Sequence, residues 1–321
     1  MVLTHQIHLD ERHPRRSVRA FRESKRPRPR RMVKIDDDQR FGIELELSSP
    51  IGIDSEMIAD MMPPSTGDVI VVDTHSGGKQ HHANGWKIVP DGSIVCNRNM
   101  PECNKFELVS NILVGGDGLR QISAVTKALG LARIQVNKSM GFHVHVDVLG
   151  YSIEQLIKIC QNFIKVRYVA DMIYYDTTRD VVRNSQYQPE QYEDVMDSFM
   201  PPSRRNGSQE CESYFRSNRG SVLGNTNRER HDSLADCGSI EALAQQMNEN
   251  GRCYKLNLKN LVTKRQATLE FRQHSATLDY EKISAWVRFW YVKSYLVVMS
   301  KSSGGVKYAH LFAFTVPPAH D

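Results

Sequence analysis

The six cysteines of this chain include no Cys-x-x-Cys pair. That absence argues against a zinc module, and a chain of 321 residues is long enough to fold without a disulfide framework. The cysteines read as ordinary reduced thiols. Cys96 and Cys103 flank an Asn/Pro-rich loop and could meet, but their spacing does not require it. No apolar run approaches the roughly 20 residues that cross a bilayer, and the N-terminus lacks the apolar stretch of a secretory signal. A cytoplasmic protein without a membrane segment is therefore expected. No internal repeat is apparent.

Apolar residues make up 40% of the chain and charged residues 25%, which fits one large or two modest domains around a packed core. The formal net charge of +5 is unevenly spread. Residues 1–34 hold eleven basic residues against Asp10, Glu11 and Glu23, a net of +8, which leaves −3 for the remainder. The basicity thus belongs to an arm that contains Arg26-Pro27-Arg28-Pro29-Arg30-Arg31. A solvated tail is the default for such a segment. Nuclear import and a nucleic-acid contact are the alternatives. The acids in it disfavour an organelle presequence.

Hydrophobic spacing predicts strands at 41–48, 68–73, 86–89, 105–110, 133–136, 142–148, 254–258 and 268–273. Helices are expected at 54–62, 117–130, from Ser152 toward Tyr175, 239–247 and 281–298. Residues 176–236 are rich in Arg, Asn, Ser and Gln and read as a long loop region with room for a short helix. The pattern divides the chain into a basic arm at 1–38, a folded domain at 39–300 and a tail at 301–321. Strands outnumber helices and cluster, so an α+β fold with a mainly antiparallel sheet is expected.

Four of these strands carry ligand-type side chains among apolar ones. They are Gly42-Ile43-Glu44-Leu45-Glu46, Phe106-Glu107-Leu108, His143-Val144-His145 and Leu269-Glu270-Phe271-Arg272. Residues i and i+2 of a strand share a face. Glu44 therefore lies beside Glu46, His143 beside His145, and Glu270 beside Arg272. Each pair has a plain explanation when taken alone. A Glu-x-Glu is most often a solvated face, and Glu270 with Arg272 is an exposed charge pair. Together they match a cleft in which carboxylates and histidine bind Mg²⁺ or Mn²⁺ and a guanidinium holds phosphate oxygens. That arrangement suits phosphoryl transfer.

The order of these motifs resembles the amidoligase family, within the carboxylate–amine ligase superfamily of glutamine synthetase and glutamate–cysteine ligase. The matching stretches are Phe41–Glu46, Trp86-Lys87-Ile88-Val89-Pro90-Asp91-Gly92-Ser93 and Phe106–Ser110. Further on come Val136-Asn137, Gly141–Asp147, Pro202-Ser203-Arg204-Arg205, Arg252–Asn257 and Thr268–Asp279, with Trp286 on the last helix. The resemblance implies a glutamine synthetase-like fold, a curved antiparallel sheet with helices on its convex side. It also implies an ATP- and Mg²⁺- or Mn²⁺-dependent ligase that forms an amide from a carboxylate and an amine through an acyl phosphate. Glu44, Glu46, Glu107, His143 and Glu270 would then be metal ligands. Arg272 would contact the transferred phosphate, and His145 would support the cleft or bind nucleotide. Arg204, Arg205 and Arg252 would hold phosphate or a substrate carboxylate. Asp91 would be a base for the amine, or simply the Asp of an Asp-Gly turn. Two other readings use the same residues: a metal-dependent nucleotide phosphohydrolase, and a non-catalytic nucleotide-binding protein whose basic arm contacts nucleic acid. The partners expected for the ligase are small-molecule or peptide carboxylates and amines.

Overall fold

The longest strand among the described residues, Arg40–Pro50 (β1), lies at the centre of its sheet and alternates charge with hydrocarbon. The structure is a computed structural model that describes residues 35–72, 85–137, 140–164, 218–263 and 266–299. Arg204, Arg205, residues 1–34 of the expected 1–38 arm and the tail at 301–321 lie outside the described residues.

Among those residues the fold is α+β, with one sheet of eight strands and eight α-helices. The strands after β1 are Ile70–Val71 (β2), Lys87–Pro90 (β3), Cys103–Val109 (β4), Leu113–Val114 (β5), Gly141–Asp147 (β6), Leu256–Asn257 (β7) and Thr268–Ser275 (β8). Their order is β2-β3-β4-β1-β6-β8-β7, and β5 pairs with β1. Every pairing is antiparallel except β2 with β3.

Register divides each strand between two faces. Phe41, Ile43, Leu45 and Leu47 of β1 stand on one face with Phe106 and Leu108 of β4. Phe142, Val144 and Val146 of β6 and Leu269 and Phe271 of β8 continue it. All of them are buried. Helices Gly115–Leu131 (α2), Ile153–Ile164 (α3) and Tyr280–Met299 (α8) cover this face. Trp290 of α8 stacks on Phe271 with ring centroids 3.9 Å apart, and Phe163 of α3 packs against both rings. Gly118 lets α2 press onto Phe41 and Leu113, since a Cβ there would lie 2.7 Å from Leu113 Cβ. Each large side chain buried in this way contributes about 1.5–3 kcal/mol.

The helix starts follow side-chain chemistry. Asp54 accepts from Met57 N–H at the start of Ser55–Met61 (α1). Ser152 and Gln155 bond each other's backbone N–H groups before α3, and Ser239 accepts from Ala242 N–H before Ile240–Met247 (α6). Among the described residues no helix is long and apolar enough to cross a membrane.

Some expectations need correction. Residues 133–136 do not form a full strand; they make a single bridge between Gln135 and Ser48. Arg133 turns with φ at +57° directly after α2, which leaves little length for pairing. The strands expected at 68–73 and 254–258 shorten to β2 and β7. Within 176–236 the described part is largely helical: Asn218–Ser221 (α4) and Asn227–Ala235 (α5). Helix α5 buries only Leu234 and has no apolar stripe, but Thr226 and Glu229 form a capping box at its start. A further short helix, Lys259–Val262 (α7), lies between β7 and β8. The reduced-thiol expectation fails for one pair, since Cys96 and Cys103 form a disulfide with Cα atoms 5.8 Å apart. The loop after β3 folds back along the start of β4 and so brings the two thiols together.

Candidate functional site

The second face of the sheet carries the polar members of the same strands. Glu46 pairs in register with Glu107, Glu44 with His143, and Glu270 with both His145 and Asn257. Directly opposed residues share a face. Strands β4, β1, β6, β8 and β7 therefore present Glu107, Glu46, Glu44, His143, His145, Glu270 and Asn257 side by side. Each is at most 4% exposed. A solvated face or an exposed charge pair is thereby excluded for these motifs.

An irregularity completes the set. Val144 pairs with Phe271 but Phe142 pairs with His274, so β8 carries one extra residue opposite His143. Such a bulge re-aims side chains locally. Arg272 lies in it, buried, and its Nη1 bonds Glu270 Oε1.

The side chains converge on His143. Its Nδ1 lies 3.0 Å from Glu44 Oε2 and 3.7 Å from both Glu107 Oε1 and Glu270 Oε1. Its Nε2 lies 3.8 Å from Glu46 Oε1 and makes no hydrogen bond. His145 Nε2 is 3.0 Å from Glu44 Oε1 and 3.9 Å from Glu270 Oε1, while its Nδ1 meets Thr268 Oγ1 at 3.2 Å. Gly141 N–H donates to Glu46 Oε2 at 2.8 Å. Two trios bring ligand atoms within 4.8 Å of one another: Glu44, His143 and Glu270, and Glu46, Glu107 and His143.

Electrostatics follow from this crowding. Burial works to raise the Glu44 and Glu270 pKa values, but neighbouring positive charge prevails and holds both carboxyls below their ordinary range. His145 is the chief neighbour for Glu44, and Arg272 for Glu270. Burial and the Arg272 charge lower the His143 pKa, which favours the neutral, ligating imidazole. Burial also opposes charge on His145, yet Glu44 and Glu270 raise its pKa. Burial likewise disfavours charge on Arg272, but the surrounding carboxylates keep it charged. The cluster thus gathers four buried carboxyl groups around one guanidinium. Oxygen donors with one histidine suit a divalent cation such as Mg²⁺ or Mn²⁺.

Of the remaining sequence candidates, Asp91 and Arg252 are among the described residues and Arg204 and Arg205 are not. Asp91 sits in the turn after β3, where its carboxylate accepts from Ser93 N–H at 2.9 Å and Ser93 Oγ at 2.7 Å. Arg252 is exposed in the loop before β7. Sequence reasoning missed three buried residues on the polar face. Lys87 lies beside Val109 in register, and burial lowers its pKa. Lys255 accepts Arg272 N–H through its carbonyl. Asn257 donates to Glu270 Oε2 at 2.6 Å. A visible signal existed for the last two: polar residues alternate with Tyr254, Leu256 and Leu258. Beside His145 the face opens into a cavity of about 290 Å³ lined by Arg40, Gly42, Asp147, Gln266 and Thr268 among others. Gly42 stands opposite His145 and contributes no side chain to fill it.

Among the described residues, one face of a mostly antiparallel sheet thus gathers buried carboxylates, histidines and an arginine, a set that could hold a metal ion. The sequence matches the family described as "Putative amidoligase enzyme" over residues 37–292, most of the chain. The protein belongs to this amidoligase family, whose name denotes enzymes of ligase type. No curated protein matches the sequence.

Proposed function

We propose that the protein is an ATP- and Mg²⁺- or Mn²⁺-dependent ligase that joins a carboxylate to an amine through an acyl phosphate. The observation that carries this reading is the pair of overlapping donor trios beside Arg272, in a chain of the amidoligase family. Glu44, Glu46, Glu107, His143 and Glu270 are the residues that would hold the ions. The donor set fits them: carboxylate oxygens for a hard cation, and a neutral imidazole whose Nε2 makes no hydrogen bond. When bound, such ions neutralise phosphate charge and orient the transferring group.

The protein's own groups supply the rest. Arg272 presents planar donors suited to the oxygens of the γ-phosphoryl group. His145 holds Glu44 in place and borders the cavity beside the cluster, the candidate seat for part of the nucleotide. In the first step a substrate carboxylate oxygen attacks the γ-phosphorus and ADP leaves. In the second the amine nitrogen attacks the acyl carbon, inorganic phosphate leaves, and a base takes the amine proton. Asp91 is the candidate base. Arg252, Arg204 and Arg205 are the candidate clamps for phosphate or substrate carboxylate. This reading also takes the sheet as the curved, glutamine synthetase-like one, with its helices on the convex side, and the protein as cytoplasmic with small-molecule or peptide substrates.

The test is ADP release by the full-length protein with Mg²⁺, across a panel of amino acids and peptides. Release that needs both a carboxylate and an amine is expected, and Glu270→Ala should lower it by at least about 100-fold. ADP formation unchanged in that variant would sink the assignment. Phosphate release without any amine acceptor would point instead to a phosphohydrolase.

A further inference from the structure

Glu270 has two carboxylate oxygens, and the structure treats them differently. Oε1 faces the cluster, where it lies 3.7 Å from His143 Nδ1 and 3.9 Å from His145 Nε2 and meets the Arg272 guanidinium. Oε2 points the other way and accepts from Asn257 Nδ2 at 2.6 Å. Asn257 is fully buried on the polar side of β7, directly opposite Glu270 in register.

The direction of this contact is set by a second bond. Asn257 Oδ1 accepts from Lys259 N–H at 2.9 Å, at the start of α7. With its carbonyl end held by the backbone, the amide has only its NH₂ end to offer Glu270. An isolated carboxylate beside a cation can turn and present either oxygen or both. A carboxylate with one oxygen held by a buried donor presents the other.

We infer that Asn257 is the positioning residue of the cation site formed by Glu44, His143 and Glu270. It holds Glu270 Oε2 and so directs the single oxygen Oε1 at the ion. The inference rests on the metal-binding reading proposed above. Outer-shell donors of this kind typically set affinity by 10–100-fold. Asn257 is the polar-face side chain of β7, a strand of two residues at the sheet edge.

The experiment measures Mn²⁺ binding to the full-length protein by electron paramagnetic resonance and calorimetry, without nucleotide or turnover. Wild type, Glu270→Gln, Asn257→Leu, Asn257→Ser and the double variants are compared. Asn257→Leu should weaken Mn²⁺ binding by 10–100-fold. Asn257→Ser, whose hydroxyl is too short to reach Glu270, should do the same if the leucine variant fails to fold. In the Glu270→Gln background neither change should weaken binding further, because the group they position is already gone. A merely structural role for Asn257 would lower affinity in both backgrounds and would overturn the inference. So would wild-type Mn²⁺ affinity in a folded Asn257 variant. If wild type and Glu270→Gln bind Mn²⁺ alike, the metal reading of Glu270 itself fails, and that result is distinct from failure at Asn257.

Discussion

The two faces of the sheet are built from the same strands, yet one holds the protein together and the other strains against it. On β8, Phe271 points into hydrocarbon and stacks on Trp290, while Glu270 and Arg272 on either side of it point into the charged cluster. The apolar face gains free energy with every side chain it buries. The polar face buries four carboxylates that repel one another, and it offsets that cost with Arg272, His145 and hydrogen bonds from Gly141 and Asn257. Buried charges survive only when paired in this way, and replacing such networks by hydrocarbon is often neutral or stabilising. The difference is instructive: the face that a stability argument would not build is the one on which the proposed chemistry rests.

Adjacent substitutions on one strand separate the faces most sharply. Phe271→Ala should cost about 3–5 kcal/mol and should appear in denaturant unfolding as an earlier midpoint. Glu270→Gln, one residue away, keeps an oxygen for Arg272 to bond and should leave the protein folded, yet on the proposed reading it should lower ADP release by at least about 100-fold. If both variants melted alike, the two-face division would fail.

A cation should reverse the strain on the polar face. Mn²⁺ at 100 times its dissociation constant should stabilise the protein by about 2.7 kcal/mol, read as a rise in melting temperature. Glu44→Gln should remove most of that rise. The apolar face is indifferent to the ion, so Phe271→Ala should keep the same increment on its lower baseline.

The smallest effect is on acid stability. Glu44 has a folded pKa below its ordinary value of 4.5. The native state therefore binds fewer protons at this site than the unfolded chain. The stability it contributes is present above the unfolded pKa and is lost as pH falls through the folded one. The melting temperature of wild type should fall below about pH 4.5, and Glu44→Gln should flatten that limb. An unchanged limb in the variant would mean that Glu44 is not held in its charged form.

Much of this was legible in the chain because strand period is two. Alternation alone puts Glu44 with Glu46 and His143 with His145. The helix caps at Asp54, Ser152 and Ser239 were equally readable, since each is a local contact between a side chain and a nearby N–H. Helix α5 is foreshadowed only as room for a short helix within 176–236, because it lacks the apolar stripe that marks the other helices and rests on the Thr226–Glu229 capping box. The Cys96–Cys103 bond was only permitted by spacing, because it depends on how the loop after β3 folds back. Asn257 was missed for a related reason: its role is a bond across strands to Glu270, thirteen residues away, and not a pattern along one strand.

Sequence by itself determined which residues share a strand face, where most helices begin, and which residue types are available for cations and phosphate. Those are consequences of local geometry, with periods of two and 3.6 residues. Only the tertiary structure decided that Glu107, Glu46, Glu44, His143 and Glu270 stand on one continuous buried face. It alone set the bulge in which Arg272 lies and placed Asn257 against the Glu270 carboxylate. The physical reason is register: pairing between strands far apart in the chain fixes which side chains meet, and no local preference encodes it.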